Sequence, residues 1–586
     1  MARFKSNAKA RRIATEKEKI SKVAKILLMV FVVQLLFYLL IIHVVPFGVT
    51  NSKGETVLNS FYTENWHNYK GSGVNVHTEG NGIKVIYWYN MILLAANLIL
   101  CMYYIVNVFM EENERRGGAR IKTFFKEHKG LMFLFIFMTF GFLSSLCAYD
   151  KFRSFIGCYN LRDGYFSFMF YGSMLVNMLF LGLAGFNAEE KEKDPRKLII
   201  KWFLITACVI SAFMLIDYWA LNYGGVKAVV IFPKVEPYVT KSSVTSATFN
   251  NSNHFAYMLS ISVTAAACMF IKSGEEMKKR IWYLLGFLLM TVALIINDTF
   301  GAYLGVMIAI ILMIVHAIIS KKEFIPVLAV AVVFICASLL TKNTSGKNII
   351  QNDFSYIGKS IAAILGSNEE NSGETESGDA KVETDMQLLY VHSGDQVVAG
   401  YLSGEILEGN VISGEIISGE VVSGEIVSGE FIPNKPSNSN NDGMDDAGDA
   451  GSGRWRLWVV GTEIALENPI LGVGLENMLY AYNEKGVNEG RSHNLVVQLA
   501  GTLGFPALIC YLLGVIFIFF GGLKSLKSWD AYMYTGMFVM VSYLLSSLTG
   551  NSAFYTSGYF YIFVGLVVLE LMKQKRESKE LENKKK

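Results

Sequence analysis

The sequence predicts an all-α polytopic membrane protein with about twelve transmembrane helices and a large extracytoplasmic loop late in the chain. Three observations lead there. Hydrophobic residues make up 52% of the 586 and mean hydropathy is +0.35, which is rare in a soluble chain of this length. Charge-free runs of about 18 residues or more recur, each able to cross a hydrocarbon core of roughly 30 Å. The basic connections fall on alternate loops, so they share one face, which the positive-inside rule makes cytoplasmic. A lone strand cannot satisfy its backbone in lipid, so these spans are helices.

In chain order, residues 1–21 ("MARFKSNAKARRIATEKEKIS") form a basic cytoplasmic tail. The apolar run behind it is too long for a signal-peptide core and no cleavage site follows, so it reads as a retained first span. Residues 22–341 then hold spans near 22–45, 84–109, 130–147, 164–186, 198–220, 254–272, 281–297, 300–320 and 323–341. Residues 342–501 form the large extracytoplasmic loop. Residues 502–573 hold the last three spans, near 502–522, 531–548 and 554–573, and 574–586 form a charged cytoplasmic tail. The segments "NAEEKEKDPRK", "KSGEEMKKR", "SKKE" and "LKSLKS" all land on the cytoplasmic face. Between 281–297 and 300–320, "NDTFGAY" must make a tight turn on the other side. The seven cysteines lie mostly inside apolar runs with no CxxC pair, which suits buried small side chains rather than disulfides or metal ligation.

Within the large loop, residues 367–453 are low-complexity and acidic. Ser-Gly-Glu recurs at 403–405, 413–415, 418–420, 423–425 and 428–430, the last four at a period of five that fits neither a helix nor a strand. Flanks rich in Gly, Ser, Asn and Asp bury too little apolar surface to offset the entropy of ordering. A flexible insertion is the simplest reading, with a small β element built on the Ile and Val pairs as its rival. The remainder, 454–501, is expected to be the catalytic part.

Three stretches carry chemistry. "SSVTSATFNNSNHFAYMLS" sets Asn250, Asn251, Asn253 and His254 at the mouth of the span at 254–272. "GRWRLWVVGTEIALENPILGVGLEN" begins with Arg454 and Arg456 around Trp455, with Trp458 following, and then turns at Pro469, Gly472 and Gly474. "EGRSHNLVVQLAGTLGF" places Arg491, His493 and Asn494 at the mouth of another apolar helix.

In this order the three stretches resemble the O-antigen ligase/polymerase superfamily, GT-C-like membrane glycosyltransferases that use polyprenyl-diphosphate-linked glycans as donors. The resemblance spans about residues 246–515, interrupted by the insert. It implies that the loop arginine contacting the donor diphosphate is Arg454, with Arg456 as competitor, and that His493 is the general base on the acceptor hydroxyl. It implies no cofactor and no metal, and direct displacement with inversion. The pattern departs at one point. Where relatives carry a Ser-Arg pair after the span at 281–297, this chain has Thr299 and Phe300. An arginine common just ahead of "TFNN" is also absent, the nearest basic residue being Lys241. Lys241, Arg456 and Arg491 are the candidate substitutes, and Asn494, Asn253 and His254 complete the expected substrate-binding set.

Elementary chemistry favours the same assignment. A diphosphate leaves readily once its charge is met, and arginine stays protonated and offers paired donors to phosphate oxygens. A sugar hydroxyl is a poor nucleophile, and a neutral imidazole can take its proton as attack proceeds. Each residue also has a plainer reading. The Arg and Trp residues at 454–458 suit an interfacial anchor, the asparagines suit helix caps, and His254 suits a structural role at the interface.

The expected function is transfer of a glycan from an undecaprenyl-diphosphate carrier to a lipid, glycan or protein acceptor hydroxyl, on the extracytoplasmic face of the cytoplasmic membrane. Ligase, polymerase and protein O-oligosaccharyltransferase activities share this architecture. A polysaccharide or solute transporter is the rival from another class. The bilayer is a partner and nucleic acid is not.

Overall fold

A computed structural model describes residues 124–157, 163–185, 194–223, 252–343, 346–351, 454–487, 489–550 and 554–585. It also describes isolated residues within 25–30, 91–102, 245–247 and 355, and the backbone of short strands within 48–78 and 388–433. The spans expected at 22–45 and 84–109 and most of the insert therefore lie outside the described residues.

The helices of the membrane unit are α1 (Lys129–Cys147), α2 (Lys151–Ile156), α3 (Tyr165–Gly185), α4 (Pro195–Tyr223), α5 (Ser252–Lys272), α6 (Met277–Asn297), α7 (Phe300–Ser320) and α8 (Phe324–Leu340). After the insert come α9 (Arg454–Glu467), α10 (Met478–Glu484), α11 (Leu495–Leu523), α12 (Ala531–Ser547) and α13 (Phe554–Lys585). Eight of these are long and apolar enough to cross a membrane. The chain is an all-α polytopic membrane protein, and each span expected from 130 onward has its helix.

The central helix is α5. Its spanning window is wholly buried, unlike that of any other described span, because it packs against α4, α6, α7, α12 and α13. Its sequence permits this. Ser260, Ser262, Thr264 and Ala265–Ala267 are small enough for close approach, and the hydroxyls of Ser260 and Ser262 bond back to Tyr257 and Leu259 carbonyls at 2.8 and 3.2 Å. The neighbouring pair α7 and α12 meets as tightly: a side chain at Gly305 would begin 2.4 Å from the Ser542 carbonyl oxygen.

The helices alternate in direction, so one end of the bundle gathers the turns that follow α1, α6 and α12 together with residues 468–494. At the other end, Arg196 pairs with Asp194 and with the buried Glu570, joining α4 to α13. Arg280 there caps the last carbonyls of α5, donating to Phe270 and Ile271 at 2.6 and 2.9 Å.

Two boundaries differ from expectation. Helix α11 begins at Leu495 rather than near 502, because the Asn494 side chain accepts from Val496 and Val497 N–H at 2.9 and 3.2 Å and starts the helix there. Helix α13 continues to Lys585 rather than ending near 573. The chain divides into this helical unit (Met1–Gly358 and Gly453–Lys586) and a second unit, Lys359–Ser452. In the second unit, Leu388–Ser393 pairs antiparallel with Gln396–Ser403, and Gly424–Val427 with Glu430–Pro433.

Candidate functional site

The site is organised by a break in α11. Gly504 takes a left-handed, non-helical conformation (φ 81°, ψ 168°) two residues before Pro506, so the helix is two segments end to end. A break inside an apolar helix frees backbone groups that need partners. The turn "NPILGVG" supplies them. Val473 N–H donates to the Gly501 carbonyl and Gly474 N–H to the Thr502 carbonyl, both at 2.9 Å, and Phe505 N–H donates to the Pro469 carbonyl at 2.8 Å. Ser144 of α1 adds a fourth bond, its hydroxyl donating to the Thr502 carbonyl at 2.9 Å. A Cβ at Gly472 (φ 62°) would fall 2.3 Å from Thr502 backbone, so only glycine fits this approach. The second and third sequence motifs are thus one structural unit.

His493 sits just ahead of that unit. Its neighbours are both tied to the first turn of α11: Ser492 N–H donates to the Gln498 side chain at 2.9 Å, and Asn494 is the cap. Between these two anchors His493 adopts φ 49°, a left-handed conformation uncommon outside glycine. Burial, reinforced by the positive charges of Arg454 and Arg491, pulls its pKa down to about 4. The imidazole is therefore neutral at pH 7.

Arg454 opens α9 and donates from Nη1 to the Thr549 carbonyl, 3.2 Å away in the turn after α12. Tyr257 of α5 donates to the same carbonyl at 3.3 Å. Arg456 is exposed on α9, away from the packed face formed by Leu457, Gly461, Ile464 and Ala465. The Trp455 and Trp458 rings meet edge to face at 6.3 Å.

Arg491 is held differently. It is buried (5% side-chain exposure) and ion-paired to two buried carboxylates, Glu476 and Asp163, the latter at 3.6 Å. Asp163 also accepts from Tyr171 at 2.5 Å. Releasing such an arginine from its partners costs about 3–5 kcal/mol. A second clamp lies beside it. Asn477 accepts from Asp150 N–H at 2.8 Å and donates to the Asp150 carbonyl at 3.2 Å, while Tyr480 donates to the Asp150 carboxylate at 3.2 Å. Together they fasten the segment between α1 and α3 onto the turn that supports α11.

His254 is buried in the first turn of α5 and interacts electrostatically with Arg491 and His493, so the first motif joins the other two. Asn253 beside it accepts from Thr299 at 3.2 Å. Thr299 also donates to Asn297, whose amide bonds to the Thr245 and Ser252 carbonyls at 2.8 and 3.0 Å. Thr299 is thus part of a polar brace between α5 and α6. Phe300 lies against Tyr303 with ring centroids 6.5 Å apart. Lys241 lies outside the described residues, as do Asn250 and Asn251. Among the described residues no three His, Cys, Asp or Glu gather to hold a metal ion.

Sequence reading singled out His493, Arg454, Arg491, His254, Asn253 and Asn494, all at one end of the helical unit. It missed Asp163, Glu476 and Asp150. The available signal for Asp163 and Glu476 was a lone carboxylate in each of two short turns beside apolar helices, "NLRDGYF" and "GVGLEN", which is costly to bury unless paired.

The comparison with curated proteins finds no match. Against family models, residues 285–512 match O-antigen ligase. The match takes in Arg454, Arg456, Arg491, His493 and Asn494, and begins after Asn253 and His254. Over that region the chain is similar to the O-antigen ligase family.

Proposed function

We propose that the chain is a membrane glycosyltransferase of the O-antigen ligase type, moving a glycan from an undecaprenyl-diphosphate carrier to an acceptor hydroxyl on the extracytoplasmic face of the cytoplasmic membrane. One observation carries the reading: a neutral, half-buried histidine and a helix-opening arginine, electrostatically coupled, lie together where an apolar helix meets polar turns. A polyprenyl diphosphate has its charged group at that depth and its tail in lipid.

Arg454 binds the diphosphate and offsets charge on the leaving group. His493 takes the acceptor's proton as its oxygen attacks the anomeric carbon and the bond to the diphosphate breaks. An imidazole with pKa near 4 is a weak base, but the bound diphosphate changes that. Its negative charge opposes the arginine charges that depress the imidazole, so donor binding strengthens the base. The family match and the basic-loop pattern support this reading.

The test compares His493→Ala and Arg454→Ala with the unaltered protein in cells, at equal expression. The expected result is loss of surface glycan with accumulation of carrier-linked donor. Normal transfer in both variants would overturn the assignment and favour a transport or anchoring role.

A further inference from the structure

The resemblance casts Arg491 as a substitute phosphate ligand, but its surroundings argue for another task. Its guanidinium is paired with Glu476 and Asp163, and all three side chains are at most 5% exposed. The three come from separate places: the segment before α3, the turn that braces the broken α11, and the residue two before His493. Asp163 N–H donates to the Glu476 carboxylate at 3.2 Å, and Glu476 itself takes a left-handed backbone (φ 58°), as does His493 (φ 49°). A left-handed non-glycine residue persists only where its surroundings hold it. Here the buried ion group fixes one end of the short segment 491–494, and the Asn494 cap with the Ser492–Gln498 bond fixes the other.

We propose that Asp163, Glu476 and Arg491 form a positioning clamp that sets the place and direction of the His493 imidazole, leaving Arg454 as the arginine that meets the donor diphosphate. The clamp works through His493 and touches no substrate. The catalytic part of this inference rests on the transferase reading given above. The placement of His493 does not.

The two roles for Arg491 differ in sign. A phosphate ligand restrained by Glu476 is freed by Glu476→Gln, so donor KM falls. A clamp is broken by the same change, so kcat falls on the order of 10²-fold, the scale of an ångström-sized misplacement, with donor KM little altered. The experiment purifies the full chain in detergent as wild type, Glu476→Gln, Asp163→Asn, Arg491→Met and Arg491→Lys, keeping those that unfold cooperatively. It measures the rate at which diethyl pyrocarbonate modifies His493, read by mass spectrometry of the peptide that contains it, and then kcat and KM with carrier-linked glycan.

The expected result is a several-fold change in His493 modification in Glu476→Gln and Arg491→Met, with partial return toward wild type in Arg491→Lys. The modification rate needs no substrate, so it answers for the clamp even if transfer is not the reaction. Unchanged His493 reactivity in the two milder variants, Glu476→Gln and Asp163→Asn, would overturn the proposal. So would a lowered donor KM in Glu476→Gln, and loss of cooperative unfolding in all four variants would do the same by reducing the ion group to a folding element.

Discussion

The Val473 N–H donates to the carbonyl of Gly501 at 2.9 Å, joining the Gly-rich turn to the helix it supports. With its two companion bonds it converts the break at Gly504 into a satisfied junction. Both glycines at that junction face backbone: a Cβ at Gly504 would lie 2.4 Å from the Ile470 carbonyl oxygen, and one at Gly472 2.3 Å from Thr502. Both also have positive φ. Gly472→Ala and Gly504→Ala should each destabilise the protein by more than the ~1 kcal/mol of a compatible glycine change. Thermal unfolding in detergent measures this, with Gly274→Ala as a control of like φ in open space.

On the proposed roles of base and phosphate ligand, His493 and Arg454 should leave different kinetic marks when removed. His493→Ala should lower kcat by on the order of 10²–10⁴ with donor KM nearly unchanged. Arg454→Ala should raise donor KM as well, because it removes a contact made before and during displacement. Steady-state kinetics with purified carrier-linked glycan separates the two, and an unchanged KM in Arg454→Ala would remove it from the diphosphate.

The legible part of this protein follows from hydropathy. Spans such as Ser252–Lys272 and Phe300–Ser320 announce themselves because lipid admits little else. Charged and polar residues at helix mouths announce themselves by contrast, which is how Arg454, His493 and His254 stand out. The break at Gly504 is illegible by the same logic. "LAGTLGFPALI" reads as continuous apolar helix, and its interruption depends on a turn some thirty residues earlier that supplies the missing partners. Asp163 and Glu476 escape for a related reason, since each makes sense only once long-range packing brings it to Arg491.

The low pKa of His493 makes a prediction with a defined sign. In the free protein its pKa is lowered to about 4 by burial and by Arg454 and Arg491, with His254 the other titratable group nearby. The acid limb of kcat/KM should therefore fall only near pH 4, whereas that of kcat should lie at higher pH, because bound diphosphate offsets the arginine charge. Stability follows the same group. The unfolded imidazole binds a proton near pH 6.5 and the folded one does not, so this contribution is complete above that value and is lost as pH falls toward 4. Coincident acid limbs for the two rate constants would show that the donor's charge does not reach His493.

Asn297 should matter out of proportion to its distance from any reacting atom. Its amide satisfies two backbone carbonyls, Thr245 and Ser252, and its carbonyl accepts from Thr299 at 2.6 Å. Asn297→Ala would leave these buried groups unmatched, at a cost of about 1–3 kcal/mol for each group left without a partner. Asn297→Asp keeps the acceptor but loses the donor, so it should be no better. A fall in unfolding temperature in both variants is expected, and an unaltered one would mean the brace between α5 and α6 contributes little.

The acidic insert offers the final test, because its removal asks whether the helical unit needs it. Arg454, His493 and the junction at Gly504 all belong to the unit formed by Met1–Gly358 and Gly453–Lys586, and Lys359–Ser452 is a separate unit. Within the helical unit Arg454 donates to the Thr549 carbonyl, and Arg491 pairs with Asp163 and Glu476. Replacing 359–452 by a flexible Gly-Ser linker should leave the unfolding temperature of the helical unit within a few degrees and the transfer reaction intact. A linker tolerates this because loop-closure cost grows only slowly with length. Complete loss of transfer in a variant that unfolds normally would assign the Ser-Gly-Glu tract a direct part in acceptor binding, and would move the functional boundary from residue 454 into the repeats.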